Sequence, residues 1–259
     1  MPSWKVHRLI GEIICFGFCS HEIDALIDNK GRHDAGRYDE LIFVNEALMV
    51  LKKYGGNGLC YYILHHVLDR LQDLLVSELA SEYEQYMKGH SIEEIYEGIR
   101  SRILDRLKND PKTVIPNFLQ DTKDAPEYEI LHAMTRLVLI GIEFGLDCVI
   151  FLLITDVNKS GKPTTGSRTY YAILNKLFSS EYKITRSPQL AASYVETQHS
   201  SIVEFLTKIV KPAEEKCREI RNREELSKEL TNELIRIFKI LERYNVKLYV
   251  YNRRKTHKR

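Results

Sequence analysis

The sequence predicts an all-α fold, a compact multi-helix bundle around one buried central helix. Apolar residues recur with the 3.6-residue period of a helix through most of the 259 residues, and 44% of all residues are hydrophobic. Only 13 glycines and 7 prolines interrupt this pattern, and an alternating, strand-like pattern is confined to 246–251. We therefore expect one helical domain over 1–259, with 109–126 as the place where it would divide.

The first four helices follow from the apolar period and its breaks. Residues 4–27 predict one long, largely buried helix, which the turn-forming residues 28–32 end. A second helix over 38–53 ends at the Gly-Gly-Asn-Gly sequence of 55–58, and a third over 59–88 ends at Gly89. The Ser-Ile-Glu-Glu sequence of 91–94 is a capping box, which predicts a helix from there to about 108.

The second half begins with 109–126, which holds three of the seven prolines and predicts a connection. Residues 127–157 are the most hydrophobic stretch and predict the central helix. A polar loop at 158–166 precedes a helix over 167–178, and Pro188 is at the first position of the next. Helical periodicity continues to about 244, with interruptions expected at Pro212 and Asn222. A short strand at 246–251 and a basic tail at 252–259 end the chain.

Charge and cysteine content bear on partners and location. The formal net charge of +2 is the sum of −5 over residues 1–210 and +7 over residues 211–259. The basic C-terminal end can attract phosphates, or it can simply be a solvated helical end. No apolar run approaches the roughly 20 residues of a membrane span, and no secretory signal is recognisable. The five cysteines lie mostly in apolar segments, where reduced core thiols are expected. These features predict a cytoplasmic protein, and the composition is typical of thermophiles.

The sequence His33-Asp34-Ala35-Gly36-Arg37 places an imidazole beside a carboxylate, a pair that can bind one divalent ion. The alternative is that Asp34 caps the second helix and His33 is a loop residue. The pentapeptide resembles the His-Asp-x-Gly-Lys/Arg signature of the HD-domain metal-dependent phosphohydrolases, an all-α family that hydrolyses nucleotides, cyclic dinucleotides or nucleic acids. The resemblance implies that His33 and Asp34 are paired metal ligands and that Asp34 is catalytic. It also implies further metal ligands. The family's earlier histidine would be His7 or His21, and its final aspartate would be Asp147. Some members add a His-His pair, which would be His65 and His66.

Helical spacing groups further polar residues near this motif. His21, Asp24 and Asp28 share one helix face, and His65 shares another with aspartates at 69 and 73. Adjacent residues such as His65 and His66 point about 100° apart, so at most one of them is expected in a given site. The alternatives are a solvated acidic face and a histidine satisfied within the core.

Asp147 lies in the most hydrophobic stretch, one helical turn after Glu143. Burial raises the pKa of such carboxylates unless a cation or a metal ion compensates for the lost solvation. Asp147 is therefore predicted either as a metal ligand or as the partner of a cation, which would be Arg136 or a Lys or Arg of another helix.

The segment 161–168 combines glycines, hydroxyl groups and cations, as phosphate-binding loops do. A helix that begins at Ser167 could hold an anion at its free N–H groups, with help from Lys162 and Arg168. These two residues are therefore candidate catalytic contacts to a phosphate, and a plain capped turn is the alternative.

Taken together, these residues predict a metal-dependent phosphohydrolase that acts on a phosphoester of a nucleotide or nucleic acid. Its cofactor would be a divalent metal ion, namely Mn, Ni, Mg or Zn. The alternative is a non-catalytic helical module that binds nucleic acid or a protein partner through its basic C-terminal region, or that forms a homo-oligomer. The sequence leaves the choice between enzyme and binding module open.

Overall fold

The computed structural model describes residues 2–29, 36, 38–119, 124–155, 176, 188–220 and 228–249. About 84% of these residues are helical and none is in a strand, which confirms the all-α prediction. Two short 3-10 turns, Pro111–Thr113 and Asn117–Leu119, follow the fourth helix. The α-helices of the described residues are Trp4–Ile14 (α1), His21–Ile27 (α2), Glu40–Met87 (α3), Ile92–Asn109 (α4), Pro126–Phe144 (α5), Leu146–Thr155 (α6), Pro188–Ile220 (α7) and Lys228–Arg243 (α8).

The prediction of one long first helix is wrong, because the chain turns between α1 and α2. Phe16 and Gly17 have positive φ angles of 56° and 82°. The N–H of Gly17 donates to the carbonyl of Glu12, five residues earlier, at 3.0 Å. This is the hydrogen bond of a Schellman helix end, in which Phe16 has the left-handed conformation of the residue that ends the helix. Gly17, the next residue, has no Cβ to clash at its own positive φ.

The second and third predicted helices are present as the two arms of α3. The break between them is a single residue, Gly55, which has φ 69° and ψ −163°. A residue with a side chain would be strained in that conformation. The start of α4 is as predicted, since the hydroxyl of Ser91 accepts a hydrogen bond from the N–H of Glu94 at 3.2 Å.

The predicted central helix is divided into α5 and α6. Gly145 separates them, and its carbonyl accepts the N–H of Val149 at 3.0 Å, so Gly145 is at the N-cap of α6. Both helices are buried over most of their length, as expected of core helices. In the described part of the chain, no single helix is both long and apolar enough to span a membrane, and α5 with α6 meets that test only as a bent pair.

The C-terminal helices are close to their predicted positions, but the predicted strand is absent over its described residues, 246–249. α7 begins at Pro188 and continues through Pro212 without interruption. The side chain of Asn57 takes the place of a pairing strand: it donates to the carbonyl of Tyr249 at 2.6 Å and accepts the N–H of Tyr249 at 2.8 Å. A side-chain amide offers the same donor and acceptor as a peptide group. Outside the described residues lie Asn222, the tail 252–259 and, apart from Lys176, the predicted helix 167–178.

The chain divides into two units, each formed by separate stretches of sequence. In the first unit, α5 packs against α8, and Arg136 Nε lies 3.2 Å from Glu233 Oε1. This unit also contains most of α1, all of α2 and the first part of α3. Its stretches are His7–Arg70, Asp110–Phe144 and Glu224–Arg259.

In the second unit, α7 packs against both α4 and α6. The chain passes between the units at five places, one of them between residues 109 and 110. The single-domain organisation and its division near 109–126 stay predictions. The stretches of the second unit are Met1–Val6, Leu71–Asn109 and Gly145–Arg223.

Four of the five cysteines form disulfides, so the prediction of reduced thiols is wrong for them. Cys15 is bonded to Cys60 in the first unit, and Cys148 to Cys217 in the second. Cys19 keeps its thiol, which lies 3.7 Å from a carboxylate oxygen of Glu12. The bonded cysteines are 45 and 69 residues apart, and such distant pairing leaves no mark in the local sequence.

Gly11 allows α1 to pack closely against α3. A Cβ at this position would lie 2.5 Å from the ring of Tyr61, which is fully buried and cannot move away freely. We expect Gly11→Ala to lower the free energy of unfolding by about 1–3 kcal/mol, as overpacking in a core does. Urea unfolding followed by circular dichroism measures this change.

Gly98→Ala, in the middle of α4, is the matched control for this substitution. Its Cβ would approach only the guanidinium end of Arg102, at 3.2 Å, and this flexible group can shift. Alanine also favours a helix over glycine by about 1 kcal/mol, so the control should be as stable as the parent chain or more so. Equal unfolding midpoints for the two variants would contradict the close-packing role of Gly11.

Candidate metal centre

Three helices of the first unit bring two histidines and three aspartates together. His7 is on the buried side of α1, Asp24 is on α2, and Asp28 is the residue that follows α2. His65 and Asp69 are one turn apart on α3, so their side chains lie on the same face. All of these side chains except that of Asp28 are 0% exposed by residue.

The ligand atoms of this group converge on one point. Among the described residues, one ligand atom each from His7, His65 and Asp69 lie within 4.8 Å of one another. His7 Nε2 is 3.3 Å from Asp69 Oδ1, and His65 Nε2 is 3.8 Å from both Asp69 Oδ2 and Asp28 Oδ1. Ligands bound at about 2.1 Å from one ion lie about 3–4 Å from one another. The group could therefore hold a metal ion.

Asp24 sets the orientation of His65. Its Oδ1 accepts hydrogen bonds from His65 Nδ1 at 3.1 Å and from the hydroxyl of Tyr61 at 2.7 Å. When Asp24 is ionised, its carboxylate only accepts, and a neutral His65 that donates from Nδ1 presents the lone pair of Nε2 to the group. The ring of His7 stacks on that of His65, with centroids 3.8 Å apart and planes inclined by 8°. A carboxylate behind a metal-binding imidazole is the usual outer-shell arrangement in metalloproteins.

Burial shapes the electrostatics around Asp24. Burial raises the pKa of this carboxyl, whereas the hydrogen bond from Tyr61 and the positive charge of Arg8 act in the opposite direction. Burial and the neighbouring charge of Asp24 raise the pKa of Tyr61, so its hydroxyl stays protonated and remains a donor. Arg8 Nε lies 3.5 Å from Asp24 Oδ2 and supplies the cation that a buried carboxylate needs.

The group reaches solvent at Asp28. The side chain of Asp28 is 14% exposed, whereas those of His65 and Asp69 are 0% exposed. Two imidazoles and a carboxylate suit a divalent transition metal. Three protein ligands also leave coordination positions for water or a substrate, as catalytic metal sites do.

Of the predicted ligands, His7 and His65 belong to this group, whereas His21 and His66 do not. His21 is exposed at the first residue of α2. His66 is buried beside the rings of Phe43 and Tyr62, at centroid distances of 5.3 and 4.9 Å. Because neighbouring helix residues point about 100° apart, His66 faces this aromatic cluster while His65 faces Asp69.

Gly36 is the one residue of the pentapeptide that the structure describes, and it is buried. A Cβ at Gly36 would lie 3.0 Å from Tyr62 Oη and 3.5 Å from His66 Cε1. Gly36 therefore meets α3 beside the histidine-bearing turn. His33, Asp34, Lys162 and Arg168 lie outside the described residues, and their roles stay predictions.

Asp147 is not among the residues of this group. It belongs to the second unit, where its Oδ1 accepts hydrogen bonds from the hydroxyl of Tyr96 at 2.6 Å and from Arg100 Nε at 2.9 Å. Burial alone would lower the pKa of the Arg100 guanidinium, but the hydrogen bond to Asp147 outweighs burial, so this pKa is raised. Burial and the same carboxylate raise the pKa of Tyr96. Asp147 is thus the partner of a cation from another helix, the second of the two roles predicted for it.

Asp69 was missed as a ligand, although its spacing from His65 marks it. Asp73, four residues further along the same face, fits the pattern equally well, but it is exposed. Asp24 and Asp28 were grouped with His21 on one helix face, but it is His65 that they contact. The signal that identifies these aspartates is their burial beside α1 and α3, which spacing alone does not contain.

Comparisons of the chain with protein-family models, with curated proteins and with solved structures find no match. The interpretation of the metal centre therefore rests on its own geometry and donor atoms. The HD-domain resemblance remains an expectation from the pentapeptide.

We expect Asp24→Asn to weaken metal binding by about 10- to 100-fold, the usual cost of losing an outer-shell partner. The amide keeps the size of the side chain and an accepting Oδ1, but it is neutral, so it no longer raises the basicity of His65 as a carboxylate does. Calorimetric titration of the metal-free protein with Zn²⁺ or Mn²⁺ measures the change. Glu22→Gln, an exposed change on α2, is the control, and equal affinities for the two variants would contradict the role of Asp24.

Proposed function

We propose that this chain is a metal-dependent phosphohydrolase whose ion is held by His7, His65 and Asp69. The proposal depends on one observation, the convergence of these three side chains in a buried group that reaches solvent at Asp28. The proposed cofactor is a divalent ion, namely Mn, Ni, Zn or Mg, and the two imidazoles favour a transition metal over Mg²⁺.

The proposed substrate is a phosphoester of a nucleotide or nucleic acid. A divalent ion bound at this site would lower the pKa of a water molecule and offset the charge of a phosphate. Asp28, at the accessible side of the group, can accept a proton, and the partly exposed guanidinium of Arg8 can bind a phosphate oxygen. On sequence grounds, Lys162 and Arg168 are proposed as further phosphate contacts.

We propose that His33 and Asp34 contribute to the same site. The residues on either side of them support this role, since Asp28 reaches His65 and Gly36 packs against His66. Both flanks therefore lie against one turn of α3. Further ligands from this segment would bring the donor set closer to the octahedral coordination that Mn²⁺ and Mg²⁺ favour.

Metal content and turnover in protein purified without a His tag test the proposal. We expect elemental analysis to find a bound divalent ion, and bis(p-nitrophenyl) phosphate to be hydrolysed in a reaction that EDTA stops and Mn²⁺, Ni²⁺ or Zn²⁺ restores. His7→Ala and the double change His33→Ala/Asp34→Ala should abolish turnover, whereas His21→Ala, at an exposed position, should not. Bound metal without turnover of any phosphomonoester or phosphodiester would overturn the hydrolase and leave a structural ion.

We also propose that the chain acts in the cytoplasm. Two disulfides are unusual there in mesophiles, but intracellular proteins of hyperthermophiles contain them, and the composition of this chain is of the thermophile type. Alkylation and mass analysis of the protein from its host cytosol should find one free thiol per chain, that of Cys19. Five alkylated thiols would contradict the persistence of the disulfides in that compartment.

A further inference from the structure

A shallow groove of about 600 Å³ runs along α8 in the first unit. Glu129, near the start of α5, forms one side of the groove. The other side is a face of α8 formed by Asn232, Ile235, Arg236, Lys239, Ile240 and Arg243.

The single acidic residue in the lining of this groove is already neutralised. Glu129 accepts hydrogen bonds from the guanidinium of Arg243 and the hydroxyl of Tyr244. The guanidinium of Arg243 also lies over the ring of Tyr244, 4.9 Å from its centroid, which holds it in place. Glu129 therefore offers no charge to offset the other cations of the groove.

Two of those cations have no acidic partner among the described residues. Arg236 and Lys239 are exposed, and within the described part of the chain neither forms an ion pair. Glu233, three residues before Arg236, binds Arg136 instead, at 3.2 Å. The groove therefore presents a net positive charge to solvent.

The polar groups of the groove form a row along the helix. Arg236, Lys239 and Arg243 are spaced i, i+3 and i+7 and so share one face, and Asn232 extends this face by one turn. At about 1.5 Å of rise per residue, the row from 232 to 243 is about 16 Å long. A row of this length fits a linear polymer with regularly spaced charges better than it fits one small anion.

We propose that this groove binds the phosphate backbone of single-stranded nucleic acid. Arginine, lysine and amide N–H groups are the usual partners of phosphate oxygens. A positively charged groove that follows the backbone is typical of single-strand-binding surfaces. Ile235 lines this groove beside the cations and is 47% exposed, so it offers apolar surface to a base whose phosphate lies on the row. An anionic membrane fits less well, because the apolar face that α8 would insert contains Ile237 and Leu241, which are buried in the fold.

This surface is distinct from the metal ligands, so it can be tested without hydrolysis. The assay is fluorescence anisotropy of a labelled oligothymidylate with the full chain in EDTA, over about 50–200 mM salt. We expect Arg236→Glu/Lys239→Glu to weaken binding at least about tenfold. Loss of two phosphate contacts should also reduce the slope of log K against log salt by about 1.4.

Lys52→Glu/Lys88→Glu is the matched control, since it makes the same change in net charge at exposed positions that do not line the groove. Its binding should stay within about twofold of the parent chain, because it removes no phosphate contact. Circular dichroism and calorimetric metal titration should be unchanged in both variants, which shows that neither change has damaged the fold or the metal centre.

Three results would overturn the proposal. The first is equal weakening by the groove variant and the control, which would show that only net charge matters. The second is unchanged binding in the groove variant together with loss of binding on truncation after Val250, which would assign binding to the basic tail. The third is groove-dependent binding to phosphatidylserine vesicles but not to the oligonucleotide, which would identify a membrane surface.

Discussion

Replacing Asp69 by asparagine is expected to abolish tight metal binding and, with it, the proposed hydrolysis. Asp69→Asn keeps the size of the side chain but removes the charge of a carboxylate that lies 3.3 Å from His7 Nε2 and 3.8 Å from His65 Nε2. The loss of affinity should exceed the roughly 10- to 100-fold cost of losing an outer-shell partner such as Asp24. Calorimetric titration with Zn²⁺ and Mn²⁺ measures it.

The melting temperature is a second readout of metal binding, because metal should raise it in the parent chain and not in the variant. An ion that binds only the folded state stabilises it by about 2.7 kcal/mol at a free concentration of 100 times Kd, so the parent chain should melt at a higher temperature with metal and the variant should not. Without metal, Asp69→Asn should be at least as stable as the parent chain, because a neutral group replaces a fully buried carboxylate.

Asp73→Asn is the matched control, one turn further along α3 and exposed. It should leave both metal affinity and melting temperature unchanged. If the histidines and aspartates instead formed a purely structural ion-pair network, Asp69→Asn would destabilise the metal-free protein by about 3–5 kcal/mol. That result, with no effect of metal on the parent chain, would contradict the metal centre.

The positions of the helices could be predicted from periodicity, but two of their ends could not. The breaks at Gly17 and Gly145 fall in stretches where the apolar spacing continues, so the 3.6-residue pattern passes through them. Glycine alone does not mark a break either. Gly11 and Gly141 lie inside helices, where they allow close contact with Tyr61 and Ile14. Whether a glycine ends a helix or admits a neighbour depends on tertiary packing, which a single sequence does not record.

The metal centre could be predicted only in part, because it too depends on tertiary packing. His7 and His65 stood out as histidines in apolar helices, whereas Asp69 and Asp73 follow His65 on the same helix face, four and eight residues later. Only the packing of α1 and α2 over α3 buries the first aspartate and leaves the second exposed. Asp147 shows the converse, because its neutralising cation, Arg100, is 47 residues away and its presence could not be read from the local pattern.

Removal of the Cys15–Cys60 disulfide is expected to lower the free energy of unfolding by about 4 kcal/mol. The cysteines are 45 residues apart, so the bond removes much of the loop-closure entropy of the unfolded chain. Urea unfolding of Cys15→Ala/Cys60→Ala measures the loss. Cys19→Ala is the control, because Cys19 forms no disulfide and its replacement should change stability little.

The same double variant tests whether this disulfide positions the metal ligands. The bond joins the turn after α1, the helix of His7, to α3 at a position five residues before His65, and the closed loop contains Asp24 and Asp28. We therefore expect its removal to weaken metal binding as well as stability. The control is Cys148→Ala/Cys217→Ala, which removes the bond that closes a longer loop, of 69 residues, in the second unit. This variant should lose a similar free energy of unfolding, about 4 kcal/mol, and keep its metal affinity. Equal losses of metal affinity in the two variants would show that affinity follows general stability and not the restraint of α1 against α3.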